Sequence, residues 1–221
     1  MQRRLIIFSC TLTLIGCTNH RIDEVLDSTS LSSTKAQTFV YECADGFRYV
    51  ARIEADKAWV FLPDKTLALS PVSTADGRAY AMDNYSFLIQ GDQASLASDQ
   101  VEHTNCRNNH AKAIWEHAKL NGIDFRALGN EPGWYLEISK KTALKLVTDY
   151  GQRSYRFNAS TIEADQHSRT TVYKASNADD RIAVTITGTS CQDSMSGETF
   201  SATVSVVLNG TSYSGCGRAL H

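Results

Sequence analysis

The cysteines are the residues whose chemistry can be predicted best from the sequence. Six of them occur in 221 residues. Cys10 and Cys17 lie in or directly after an apolar stretch at the start of the chain. The other four are Cys43, Cys106, Cys191 and Cys216. Four cysteines allow three pairings, and no pair has the spacing of zinc ligands. The first two of them bracket one block of sequence and the last two lie within another. We therefore expect the disulfides Cys43–Cys106 and Cys191–Cys216.

The start of the chain predicts that the protein is exported. Arg3 and Arg4 precede an apolar run, Leu5 to Ile15, with about half of the roughly 20 residues that a membrane-spanning helix needs. The run Leu14-Ile15-Gly16-Cys17 resembles a bacterial lipoprotein signal. The resemblance implies that residues 1–16 are removed and that Cys17 is acylated, which anchors a protein stably when several chains are attached. The alternative is an ordinary secretory peptide with a chance cysteine.

Thr18 stands where the inner-membrane retention signal of lipoproteins has Asp. We therefore expect a lipid anchor in the outer membrane, with the protein on its periplasmic face. Export to an oxidising compartment also favours the two disulfides.

Charge excludes one class of partner. The formal net charge is −2 and no basic patch is present, so we expect no nucleic-acid binding. A mildly acidic surface suits a strongly basic protein partner. Nothing in the sequence fixes the oligomeric state.

The elements that position these residues are predicted to be mainly strands. After a polar tether over residues 17–36, period-two alternation and tight turns predict a run of short strands over residues 37–108. A helical connector follows over 109–121, on which Ile114, His117 and Ala118 are able to share a face, with Asn121-Gly122 as its stop. Alternation resumes over 122–221. The expected fold is all-β: two small antiparallel barrel or sandwich domains joined by a short helix.

The first β block resembles the membrane-bound inhibitor of c-type lysozyme, a family of periplasmic lipoproteins with a small antiparallel barrel. The resemblance rests on Tyr41-Glu42-Cys43, Asp76-Gly77-Arg78-Ala79-Tyr80, the segment from Tyr85 to Asp92, and Cys106. It covers about seventy residues and implies c-type lysozyme as the partner. The residues that it assigns to partner binding are Asp76, Gly77, Arg78, Tyr80, Tyr85, Gln90 and Gly91.

Two positions depart from the family pattern. The family motifs are Ser-Gly-x-x-Tyr and Tyr-x-x-x-Thr-Lys-Gly, whereas this chain has Asp76 at the serine, Ile89 at the threonine and Gln90 at the lysine. A lysozyme cleft holds two carboxylates, so the missing ammonium weakens the expected contact. Arg78 and Lys65 are candidates to supply the charge. The alternative hypothesis is a non-inhibitory structural or small-ligand-binding lipoprotein that keeps the barrel as a scaffold.

The second β block resembles an uncharacterised domain of bacterial envelope lipoproteins, through Gly129-Asn130-Glu131-Pro132-Gly133-Trp134, the segment from Cys191 to Gly197, and Gly215-Cys216-Gly217. Candidate functional residues are Glu131, Trp134 and Asp193, although turn chemistry also explains such positions. His110 and His117 supply too few ligands for a metal. With no recognisable nucleophile, we expect no enzyme activity, no catalytic residues, no metal and no cofactor.

Overall fold

A computed structural model of the chain describes residues 35–221. The predicted signal segment, the predicted lipidation site Cys17 and all but the end of the predicted tether lie outside the described residues. The described residues belong to a single unit of the chain. The all-β prediction is confirmed: a closed eight-stranded antiparallel barrel is followed by a curled nine-stranded sheet. Within residues 35–221 no helix has the length and apolarity needed to cross a membrane.

The barrel strands follow one another in chain order. They are β1 (Gln37–Glu42), β2 (Arg48–Glu54), β3 (Lys57–Phe61), β4 (Thr66–Val72), β5 (Arg78–Met82), β6 (Tyr85–Gln90), β7 (Gln93–Ala97) and β8 (Glu102–Asn108). Within the predicted run of short strands, the sequence pattern does not mark β4 and β5. Half of β4 is exposed and lacks alternation, and it carries Pro71, a residue that disfavours a strand.

The barrel interior is filled by side chains at alternate strand positions. Tyr41 and Phe87 are fully buried, and their rings pack edge to face with centroids 5.9 Å apart. The seam between β1 and β8 is short, with Tyr41 opposite Asn108 and Glu42 opposite Arg107. The predicted Cys43–Cys106 disulfide is present beside this seam. It therefore crosslinks the barrel where the hydrogen-bonded ladder is least extensive.

Two tyrosine hydroxyls are buried inside the barrel without a hydrogen-bond partner among the described residues, those of Tyr41 and Tyr49. Burial raises the pKa of both phenols.

An unsatisfied buried polar group costs about 1–3 kcal/mol. We therefore expect Tyr41→Phe or Tyr49→Phe to leave the free energy of unfolding unchanged or to raise it by about 1 kcal/mol, measured by denaturant titration. Tyr150→Phe, which removes an exposed hydroxyl, is the control. A loss above about 1 kcal/mol in either core variant would contradict the unpartnered state of that hydroxyl.

The predicted connector is helix α1 (His110–Leu120), and it begins and ends where the sequence indicates. The Asn109 side chain caps it by accepting the Lys112 N–H at 3.1 Å. The buried face differs from the predicted one, because it consists of Ala113, Trp115 and Ala118, while Ile114 is 52% exposed.

The second block is a sheet in which the last strand of the chain lies in the middle. Its order is β12-β11-β10-β9-β19-β18-β15-β14-β13. The strands are β9 (Ile123–Asn130), β10 (Gly133–Ser139), β11 (Ala143–Thr148), β12 (Arg153–Asn158), β13 (Thr161–Asp165), β14 (Thr170–Ser176), β15 (Arg181–Thr187), β18 (Ala202–Leu208) and β19 (Thr211–Ala219), with a separate ribbon of β16 (Cys191–Gln192) and β17 (Thr199–Phe200). The inner face is lined by Leu136, Val184 and Val206, all fully buried.

Helix α1 packs on both sheets. Trp115 lies 5.1 Å from the Phe200 ring, and the Arg218 guanidinium stacks 4.4 Å above the Trp115 ring. On the barrel side, Thr38 Oγ1 lies 3.0 Å from His117 Nδ1. The predicted Cys191–Cys216 disulfide ties β16 to β19. The helix is therefore a packed element, and independent folding of the blocks on either side of it stays a prediction.

Candidate functional site

Five of the seven predicted partner-binding residues meet at one end of the barrel. Asp76 and Gly77 precede β5, and Gly91 follows β6. Gly77 has a φ of +78°, and a Cβ placed there would lie 2.2 Å from the carbonyl oxygen of Ile89 and 3.1 Å from Cγ of Gln90. The backbone before β5 therefore lies directly against the end of β6. We call the surface formed by Asp76, Gly77, Arg78, Gln90 and Gly91 the loop edge.

Much of the segment assigned to partner binding is strand. Arg78 lies opposite Ile89 in the β5–β6 pairing, so only residues 73–77 and the turn at 91–92 are free of the barrel ladder. Within residues 73–77, the Thr74 hydroxyl donates a hydrogen bond to the Asp76 carbonyl oxygen at 3.2 Å. The loop edge is consequently short and closely tied to the barrel wall.

Arg78 is an exposed cation of the loop edge, but it is anchored. Its guanidinium donates to Gln37 Oε1 at 3.0 Å and lies 5.7 Å from the Phe39 ring centroid. Asp92, in the turn after β6, also has a partner, because its carboxylate lies 3.0 Å from His110 Nε2. The Asp76 and Gln90 side chains are exposed, and their backbones lie near each other because Gly77 approaches Gln90.

Two predicted partner residues are not part of the loop edge. Tyr80 is only 6% exposed and faces the interior, where it stacks on Phe87 with centroids 6.2 Å apart. Tyr85 lies at the other end of β6, about 17 Å away at the usual rise per residue. Lys65 lies there too, with its ammonium 5.2 Å from the Tyr85 ring. It therefore cannot replace the missing lysine at position 90.

That opposite end carries a cluster that sequence reasoning missed. His103 stacks on Phe47 with centroids 3.8 Å apart, and its Nδ1 lies 2.5 Å from Asp45 Oδ2. The hydrogen bond to His103 lowers the pKa of the Asp45 carboxyl. A shallow cavity of about 250 Å³ adjoins it and Tyr85. No local sequence pattern announces this cluster, because its members come from different hairpins.

In the second block the three candidates have different surroundings. Glu131 is exposed at the tip of the β9–β10 hairpin. Trp134 is buried, and its indole fills the space above Gly129, where a Cβ would lie 2.2 Å from Nε1. Trp134 is therefore a core residue. Asp193 is also buried, and it joins the 193–196 turn to the hairpin by accepting Asn130 Nδ2 at 2.5 Å.

The Asp193 carboxylate organises its turn. Its Oδ2 accepts the backbone N–H and the hydroxyl of Ser196, each at 2.7 Å. Burial by itself raises the pKa of this carboxyl, but the hydrogen bonds from Ser196 and Asn130 outweigh burial and leave it below its usual value. These contacts account for Asp193 as a structural residue.

Asp193→Asn is expected to lower the free energy of unfolding by about 1–3 kcal/mol at pH 7, because an amide nitrogen then faces buried donors. Since the folded-state pKa is depressed, this stabilisation is present above the ordinary aspartate pKa and is lost as the pH falls through the folded-state value. The gap between the two proteins should therefore close in acid, as measured by denaturant titration over a pH series. Asp165→Asn is the matched control, because the exposed Asp165 accepts similar bonds from His167 and Ser168. Equal losses in both variants would contradict a special role for Asp193.

Comparison with known proteins identifies no relative: no protein-family model, curated protein or solved structure matches the chain. Residues 35–221 contain no group of three or more His, Cys, Asp or Glu side chains arranged to hold a metal ion.

Proposed function

We propose that the barrel inhibits a c-type lysozyme by placing the loop edge at the enzyme's active-site cleft, and that the protein does so as a lipoprotein anchored through Cys17 in the outer membrane and facing the periplasm. One observation carries this proposal: the close approach of Gly77 to Ile89 and Gln90 brings the two resembling segments together, with Asp76 and Gln90 both exposed. The eight-stranded barrel and its Cys43–Cys106 bridge support it.

The chemistry of the loop edge predicts a modest inhibitor. Gln90 offers the cleft carboxylates a neutral hydrogen bond, worth about 0.5–1.5 kcal/mol against about 1.5–3 kcal/mol for a charged one. Asp76 adds a repelling carboxylate. Arg78 is the nearest cation, and to reach the cleft it has to exchange its bond to Gln37 for one to the enzyme.

The test is a lysis assay in which c-type lysozyme digests bacterial cell walls with and without the purified full chain. The proposal predicts slower lysis in proportion to the protein added. Unchanged lysis at a large excess would favour the alternative, a structural or ligand-binding lipoprotein that keeps the barrel only as a scaffold.

Gly77→Ala is expected to reduce inhibition at least tenfold, because the added methyl displaces the 73–77 loop from Ile89. Gly46→Ala is the matched control. Gly46 also has a left-handed φ, +84°, but its Cβ would meet nothing within 4 Å, and it lies in the turn between β1 and β2. Both variants bear the roughly 1–2 kcal/mol cost of a left-handed alanine, and only Gly77→Ala adds the steric clash with the Ile89 carbonyl. If the two variants inhibited equally, the loop edge would not be the inhibitory surface.

A further inference from the structure

A cleft of about 940 Å³ lies between the start of β1, helix α1 and the strands β9 to β11. Its volume is at the upper end of the range for small-molecule sites, roughly 300–1,000 Å³. The lining used below consists of Phe39, Ile114, Ile123, Arg126, Tyr135 and Lys145. We call it the helix cleft. It is separate from the Asp76–Gln90 side of the loop edge, although Arg78 borders both.

One wall of the helix cleft is apolar. Ile114 lies on α1 with 52% of its surface exposed, although neighbouring helix residues are buried. Phe39 and Ile123 complete this wall from β1 and β9, and both are only partly buried. Branched and aromatic side chains left open to a concave surface are typical of ligand sites.

The lining of the helix cleft also carries excess positive charge. Arg126 and Lys145 share one acid, since Glu137 accepts a bond from Arg126 and another from Lys145 at 3.1 Å. Lys35 and Arg78 also line the cleft, and Glu137 is the single acid among its described lining residues. The whole chain, in contrast, has 24 acids against 22 bases. The cleft therefore concentrates cations in a protein of the opposite net charge.

The cations are held in place before any ligand arrives. The Arg126 guanidinium lies 4.5 Å from the Tyr135 ring and 5.8 Å from the Trp115 ring, and the Lys145 ammonium lies 5.2 Å from Tyr135. Arg126 is 9% exposed, and its Nε has no partner among the described residues. Such preorganisation reduces the entropy that binding would otherwise cost.

His117 also lines the helix cleft, and nearby charges influence its pKa. Burial, together with the charges of Arg52 and Lys35, lowers the pKa of His117, with Arg126 adding to this and Glu137 opposing it. Both ring nitrogens have neighbours, Thr38 Oγ1 at 3.0 Å and Asn121 Nδ2 at 2.8 Å. A negative group bound at Arg126 and Lys145 would raise this pKa.

We propose that the helix cleft binds a single-chain anionic amphiphile. Its carboxylate or phosphate head binds Arg126 and Lys145 beside Glu137, and its alkyl chain contacts Ile114, Ile123 and Phe39. The uncompensated charge selects an anionic head over a neutral or cationic one, and the apolar wall selects an alkyl chain over a free inorganic anion. This binding is independent of lysozyme inhibition.

Calorimetric titration tests this with the full chain carrying Cys17→Ser throughout, so that no acyl group of its own competes. The probes are laurate, dodecyl phosphate, dodecanol, dodecyltrimethylammonium and inorganic phosphate, each below its micelle-forming concentration. We expect one-to-one binding of laurate or dodecyl phosphate, with the other three at least tenfold weaker. The two anionic probes distinguish a carboxylate head from a phosphate head. Equal affinity for dodecanol, or no binding of either anionic probe, would overturn the proposal.

Variants locate the site. Ile114→Asp and Lys145→Gln should each weaken binding at least tenfold. Val101→Asp is the control for the first, since Val101 is also 52% exposed but lies outside the cleft. Lys174→Gln is the control for the second, because Lys174 likewise lies 3.1 Å from a glutamate, Glu163, but lines a different cavity. Unchanged affinity in Lys145→Gln, or a loss confined to Lys174→Gln, would refute the site even if Ile114→Asp folds poorly.

In the Cys17→Ser chain without further substitutions, NMR titration of His117 should show a higher pKa with laurate bound.

Discussion

Replacing Cys43 and Cys106 together with alanine is expected to lower the free energy of unfolding by about 4 kcal/mol. The bridge closes a loop of 63 residues, and in the chain-entropy model such a crosslink removes about that much free energy from the unfolded ensemble. The bridge also lies beside the short β1–β8 seam, which closes the barrel. Its loss should therefore open the barrel at β1 before other strands separate.

Denaturant titration checks this prediction, with hydrogen exchange of the β1 and β8 amides as the local readout. The Cys191→Ala/Cys216→Ala variant is the comparison, because its loop of 25 residues predicts a smaller loss of about 3.5 kcal/mol. Exchange should then accelerate near β16 and β19 instead. An unchanged unfolding midpoint in the Cys43/Cys106 variant would contradict the stabilising role of that bridge.

Replacing Asp76 with serine and Gln90 with lysine together is expected to tighten binding to c-type lysozyme by about 2–4 kcal/mol, if the new contacts are desolvated as truncated interfacial charge pairs are. The change removes a repelling carboxylate and introduces an ammonium opposite the cleft carboxylates. The gain should decrease with added salt wherever the contact remains exposed.

The double variant Asp99→Ser/Gln100→Lys is the control for net charge. It replaces the same two residue types, so the change in net charge is the same. Asp99 and Gln100, however, are exposed in the turn after β7, at the other end of the barrel. Long-range attraction to a basic enzyme is reduced equally by both changes. Equal affinities of the two double variants would mean that the loop edge does not contact the carboxylates.

Strict alternation between buried and exposed positions makes a strand predictable from its sequence, and a strand without any buried position lacks that signal. β10 buries Trp134, Leu136 and Ile138 in strict alternation and was found from the sequence. In contrast, β13 is exposed at every position, so no apolar period marks Thr161–Asp165 as a strand. Both disulfides followed from the position of each pair within its block.

The candidate sites divide in the same way. Asp76 and Gln90 were assigned to one partner-binding surface through the family resemblance, which rests on short local motifs. The helix cleft unites Phe39, Ile114 and Lys145, which are far apart in the chain and share no motif. Trp115 was missed for a related reason, because its burial depends on Phe200 in the β16–β17 ribbon and on Arg218 in β19.

Titration of c-type lysozyme with the native full chain at low ionic strength tests the central proposal most directly, when the Asp76→Ser/Gln90→Lys variant is measured alongside. The proposal predicts saturable one-to-one binding by the native chain that weakens in Gly77→Ala, and tighter binding by the double variant. If neither the native chain nor the double variant binds lysozyme, the loop edge is not an inhibitory surface and the barrel serves as a scaffold.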